Sequence, residues 1–174
     1  MRPDKLPLFE NRSILRAVIE TPRGSRNKFD YHPKLKIFFL KKVLPAGMLF
    51  PFDFGFFPQT QGAAGDPLDV LVLMDEPAFP GAVVSTRLIG VLEAHQIEAG
   101  KSVRNDRYLA VAAGSHAYAN VHHHRDLPGQ LTRELVQFFV DYNRLEDRKF
   151  EVKQMRGPAA ALKTLRASLI QESA

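Results

Sequence analysis

Cysteine and tryptophan are both missing from this 174-residue chain. Without cysteine there is no disulfide framework, no thiolate nucleophile and no sulfur ligand for a metal. That composition suits a cytoplasmic protein. Long hydrophobic runs are missing as well: the run Val70–Met74 falls far short of the roughly 20 apolar residues of a membrane helix. The first residues, MRPDKLPLFENR, are polar and interrupted by prolines, so they do not read as a signal peptide. No internal repeat or low-complexity linker breaks the chain, and its length suits one well-packed domain, 1–174, with residues 1–12 as a loose N-terminal arm.

What is present is an ordinary globular composition, 45% hydrophobic and 25% charged, with a formal net charge of +5. A basic surface attracts anions such as phosphates, nucleotides or nucleic acid. Strand-like stretches dominate the first two thirds: 13–20, 34–44, 69–75, 82–95 and 107–113, with a late one at 149–155. Two helices stand out. Residues 128–146 place Leu131, Leu135, Phe138, Phe139, Tyr142 and Leu145 at spacings of three and four, with Asp126 and Pro128 as start signals. A second helix begins at Gly157-Pro158 and lines up Leu162, Leu165 and Leu169. Strands first and helices mostly last reads as α+β, a mainly antiparallel sheet or barrel with helices outside.

Four stretches carry candidate chemistry. In AAGDPLDV, Asp66 and Asp69 flank the dihedral-fixing Pro67, and carboxylates on a stiff loop suit hard cations such as Mg²⁺; turn chemistry before a strand explains the same residues without a metal. In VIETPRGSRNKFDY, Glu20 ends a strand, and Lys28 and Asp30 share a face if the segment is extended, although a solvated hairpin loop is the plainer reading. In LFPFDFGFFP, phenylalanine recurs at 50, 52, 54 and 56, which reads as core packing before it reads as a platform for bases. Three consecutive histidines, 122–124, cannot converge on one ion from a regular strand or helix, and they read as a loop.

Taken in order, the stretches VIE, KFD, LKK, LFPFDFGF, AGDPLDVLV, GVLEAHQ, NDRYLAV and FFVDYNRLED resemble the soluble family I inorganic pyrophosphatases, from Val18 to about Leu165. The resemblance implies an OB-like, five-stranded antiparallel β-barrel with flanking C-terminal α-helices. It also implies metal-assisted hydrolysis of pyrophosphate to two phosphates and assembly into homo-oligomers. In that family carboxylates hold several Mg²⁺ ions that activate a water, an Asp takes its proton, and Lys, Arg and Tyr hold the phosphates. Carried over by position, Asp66 is the general base and a metal carboxylate, and Asp69 is a metal ligand. Glu20, Lys28, Asp30, Lys42, Arg107 and Tyr142 face the substrate. Asp30 stands for a Glu, Lys42 for an Arg and Arg107 for a Lys.

The chain departs from the pattern at six positions. Ala64 replaces the first Asp of the signature, and Gln96 and Asn105 stand at the two later metal acids, separated by a longer loop than the family pattern. Phe50 and Phe54 replace tyrosines, and Asn143 replaces a lysine. Glu98 or Asp106 could substitute for a lost acid if that loop folds back. At about 2 kcal/mol per lost carboxylate, three losses remove about 6 kcal/mol, more than about 10⁴-fold in metal affinity. The expectation is therefore a weakened or absent Mg²⁺ cluster and a pocket made more basic by the loss of acids. Three classes of function remain open: a pyrophosphatase of impaired activity, an inactive relative binding phosphate, pyrophosphate or a nucleotide through that basic pocket, and a nucleic-acid binder. The last has least support, because basic charge alone does not identify one.

Overall fold

In this computed structural model, residues 2–170 are described. The strands are β1 (Leu15–Thr21), β2 (Asn27–His32), β3 (Ile37–Val43), β4 (Asp53–Phe57), β5 (Leu68–Leu73), β6 (Val83–Glu98), β7 (Lys101–Arg104), β8 (Arg107–Ala112) and β9 (Lys149–Arg156). The helices are α1 (Gly129–Arg144) and α2 (Pro158–Ala167). Strands β1, β4, β5, β8 and β6 pair in that order, and β6 pairs back onto β1, so five strands close a ring. This is the expected OB-like barrel. One pairing differs from the all-antiparallel expectation: β5 and β8 run parallel. The chain between them is long enough to cross over, because the sixteen-residue β6 and the β6–β7 hairpin intervene.

Closure explains the continuous apolar runs of β5 and β8, whose two faces are both buried. Ala17, Ile19, Val70, Val72, Tyr108 and Ala110 belong to one cluster that draws on all five ring strands and fills the barrel, with Leu165 of α2 packed into it. Leu71, Leu73, Leu109 and Val111 point the other way, into a second cluster beneath α1 with Leu135 and Phe139. The approach of β1 to β4 is close enough that a Cβ on Gly55 would overlap the Val18 carbonyl.

Several sequence expectations change. Residues 2–12 are not a loose arm: Leu8 is buried in the barrel cluster, and its carbonyl accepts the Arg16 N–H at 2.8 Å. The short stretch Leu6-Pro7-Leu8-Phe9 carries no sustained period, so the burial of Leu8 was not legible. The stretch 27–32, read as loop, is a strand paired with β3 in a separate two-stranded sheet. The expected loop between Gln96 and Asn105 is a tight hairpin, with Ala99 and Gly100 both at positive φ. Helix α1 starts one residue after Pro128, and Asp126 instead accepts the N–H groups of His122 and His123 in the preceding 3₁₀ turn. The phenylalanine run is core as read: Phe50, Phe52, Phe54 and Phe56 are all buried, though only the last two lie in a strand.

Candidate active site

A cleft of about 640 Å³ opens where the outer barrel wall, the β2–β3 hairpin and the end of α1 meet. The parallel pairing supplies its floor. Asp69 and Arg107 are register partners at the first rungs of β5 and β8, and their side chains pair at 2.7 Å. Arg107 is only 5% exposed, its guanidinium lying 5.2 Å from the Phe139 ring centre and 5.5 Å from that of Phe150. Its Nη1 also donates to Asn105 Oδ1 at 2.5 Å, and Asn105 Nδ2 donates to Gln96 Oε1 at 2.8 Å. Burial pushes the Asp69 carboxyl up, and the Arg107 charge opposes that push.

The hairpin supplies the opposite wall. Lys28 and Asp30 do share a face, and the Lys28 ammonium pairs with Asp30 and lies 3.6 Å from Glu20. It also sits 4.6 Å from the Phe54 ring centre. Glu20 accepts the Tyr31 N–H at 2.7 Å; burial pushes its carboxyl up to about 7, against the pull of Lys28. For Asp30 burial works upward too, but Lys28 and Lys41 outweigh it and hold the group below the ordinary carboxylate range. Tyr142, from α1, lines the cleft with its phenol raised by burial.

The structure thus brings Glu20, Lys28, Asp30, Asp66, Asp69, Arg107 and Tyr142 to one cleft, with Phe54, Ala64, Gln96, Asn105 and Asn143 around them. Two predicted residues lie off it. Lys42 turns to Glu146 at 2.5 Å and lies 3.9 Å from the Tyr142 ring centre. Phe50 packs in the second cluster against Phe138 and Tyr142. Asn143 donates its amide to the Phe139 carbonyl at 2.8 Å, a tie within its own helix. Sequence reasoning missed Lys41, Glu146 and Arg148 as cleft residues. Lys41 is next to a residue that was read, and a bulge in the hairpin at Lys28/Phe29 changes which lysine faces the cleft.

The basic pocket is a further correction. Acidic side chains lining the cleft are Asp4, Glu20, Asp30, Asp66, Asp69, Asp106 and Glu146, against the basic Lys28, Lys41, Arg104, Arg107 and Arg148, seven against five. The surplus of positive charge therefore lies elsewhere on the surface. Neither proposed substitute acid is free: Glu98 pairs with Arg148 at 3.0 Å, and Asp106 pairs with Arg104 at 2.8 Å while accepting the Ala94 N–H. Among the described residues no three His, Cys, Asp or Glu side chains are grouped to hold a metal ion. Ala64, Gln96 and Asn105 bring no charge, and Asp69 is occupied by a guanidinium. This donor set does not fit a cluster of resident Mg²⁺ ions, which demands several oxygen anions around each centre.

Comparison with known proteins identifies the class. Residues 17–172 match the inorganic pyrophosphatase family profile, and the chain belongs to that family. It is 36% identical over 148 residues to the inorganic pyrophosphatase of Synechocystis, covering 85% of each chain. It is 36% identical over 169 residues to that of Thermus thermophilus, covering 95% of this chain and 91% of the relative. The crystal structure of the Thermus thermophilus inorganic pyrophosphatase superposes with a TM-score of 0.89 at 32% identity over 97% of both chains. That of Helicobacter pylori gives 0.83 at 29% identity, covering 94% and 96%.

Proposed function

We propose that this chain hydrolyses pyrophosphate to two phosphates in the cleft, at a rate below that of a relative with a full metal site. The observation that carries the reading is the convergence of Asp66, Asp69, Lys28, Glu20, Arg107 and Tyr142 on one cleft of a pyrophosphatase fold. Lys28 and Arg107 stabilise the phosphoryl oxygens as charge develops. Of the seven acids lining the cleft, Asp66, exposed at the rim, is the one that makes no ion pair with the described residues, and it takes the proton from the attacking water. A cleft lined by more acids than bases repels bare pyrophosphate, so the substrate enters as its Mg²⁺ complex, the metal being part of the substrate. The protein acts in the cytoplasm as a homo-oligomer.

The test is phosphate release from pyrophosphate with Mg²⁺ and with Mn²⁺, beside Asp66→Asn. The expected loss in the variant is about 10²–10⁴-fold, the size of a removed general base. Release that persists unchanged would remove Asp66 from the mechanism. A second reading, binding of pyrophosphate without turnover, is favoured by the Asp69–Arg107 pair and the amides at 96 and 105; it predicts calorimetric binding with no release above the variant.

A further inference from the structure

The amides of the cleft floor form one chain of hydrogen bonds with Arg107. Asn105 donates to Gln96 with one end of its side chain and accepts from Arg107 with the other. Arg107 in turn reaches Asp69. Two carboxylates at 96 and 105 would face each other with no donor between them and would need a cation there. The amide pair needs none, because each amide carries both a donor and an acceptor. The hydrogen bonds of the guanidinium run through Nη1, and its buried Nε has no partner. The aromatic rings of Phe139 and Phe150 hold it in place from the side of α1 and β9.

We propose that Arg107 is the resident cation of this cleft: its guanidinium occupies Asp69, Gln96 and Asn105 lock it there, and the protein holds no Mg²⁺ of its own. A divalent ion at Asp69 would have to evict a buried guanidinium that the chain's own amides hold in register. Glu20, Asp30, Asp106 and Glu146 are likewise committed to the chain's own cations. Asp66, in no ion pair with the described residues, is a single carboxylate and too few donors for Mg²⁺, so the metal arrives only with the substrate. This rests on the reading of the cleft as the pyrophosphate site and specifies how its charge is balanced.

The test uses Mn²⁺ alone, titrated into the full chain while the free ion is followed by its paramagnetic resonance signal. The wild-type chain is expected to show no saturable site up to about 1 mM, the weak end of useful affinity. The triple variant Ala64→Asp/Gln96→Asp/Asn105→Asp restores three anions and is expected to bind at least about 100-fold more tightly. If circular dichroism shows the triple variant unfolded, Asn105→Asp alone takes its place, with an expected gain of about 10-fold. A saturable wild-type site as tight as the variant's overturns the proposal, and so does a folded variant that gains nothing. A parallel calorimetric titration with pyrophosphate and Mg²⁺ separates the two readings. Heat there together with a tight wild-type Mn²⁺ site defeats only the resident-cation assignment. No heat at all defeats the cleft as the pyrophosphate site, and this proposal with it.

Discussion

The two walls of the cleft hold their charges differently. On the hairpin wall, acids and cations alternate: Glu20, Lys28, Asp30 and Lys41 form one chain of contacts, and Lys42, beside the cleft, pairs with Glu146, which also pairs with Arg148. On the barrel wall the pair Asp69–Arg107 sits among neutral amides and aromatic rings, with Arg104–Asp106 next to it. The hairpin wall keeps the charge pattern of the family resemblance nearly intact, whereas the barrel wall has replaced acids with amides. Phosphate recognition and metal retention are thus separable properties, carried by different elements of one fold. In the hairpin-wall chain, Lys28 and Asp30 each have two oppositely charged partners, so the loss of one partner leaves the other in place. Among the described residues Asp69 has one ion-pair partner, Arg107, and its loss leaves the carboxylate with only the more distant charge of Lys28.

That contrast can be broken by substitution. The largest effect on stability is expected for Arg107→Met, which strands Asp69 in the floor. Urea unfolding should show a loss of about 3–5 kcal/mol, and Asp69→Asn/Arg107→Met should recover much of it. Full stability of the single variant would mean that the two walls are held alike. Next comes pH. Glu20 has its folded-state pKa raised to about 7 from an ordinary 4.5, so its contribution is full below pH 4.5 and is lost as pH rises through 7. Unfolding free energy should fall by up to about 3 kcal/mol across that window, and Glu20→Gln should flatten that part of the profile. A profile unchanged by the substitution would show that Glu20 is ionised without cost.

Smaller effects sharpen the difference in ligand binding. Lys28→Ala should weaken pyrophosphate binding by about 10–100-fold in calorimetry, roughly 1.4–2.7 kcal/mol, while leaving the Asp69–Arg107 pair in place. An equal loss in Lys42→Ala would contradict the placement of Lys42 beside the cleft rather than in it. Smallest of all, Lys41→Ala removes a half-exposed partner of Asp30 and should cost no more than about 1 kcal/mol of stability. A larger loss would show that the hairpin wall is less forgiving than its alternating charges suggest.

Much of this was legible along the chain. The apolar runs at 69–75 and 107–113 are strands because both their faces are buried, and the helix at 128–146 is amphipathic with Leu135 and Phe139 inward. The stretch 27–32 was less legible because its alternation mixes a buried lysine with half-exposed residues, which weakens the period-two signal. Asp66, Asp69 and Lys28 were found from local chemistry. The pairings were not, since Lys42 meets Glu146 across 104 positions and Asp69 meets Arg107 across 38.

The sequence by itself determined the barrel-and-helix class, the family, and the loss of acids at 64, 96 and 105, because side-chain identity and periodicity are local properties. The tertiary structure alone decided that the cleft is richer in acids than bases, and that Asp69 faces a guanidinium. Net charge is a sum over the whole surface, whereas the field in a cleft depends on which few side chains the fold turns inward. Only the parallel pairing of β5 with β8 sets Asp69 beside Arg107.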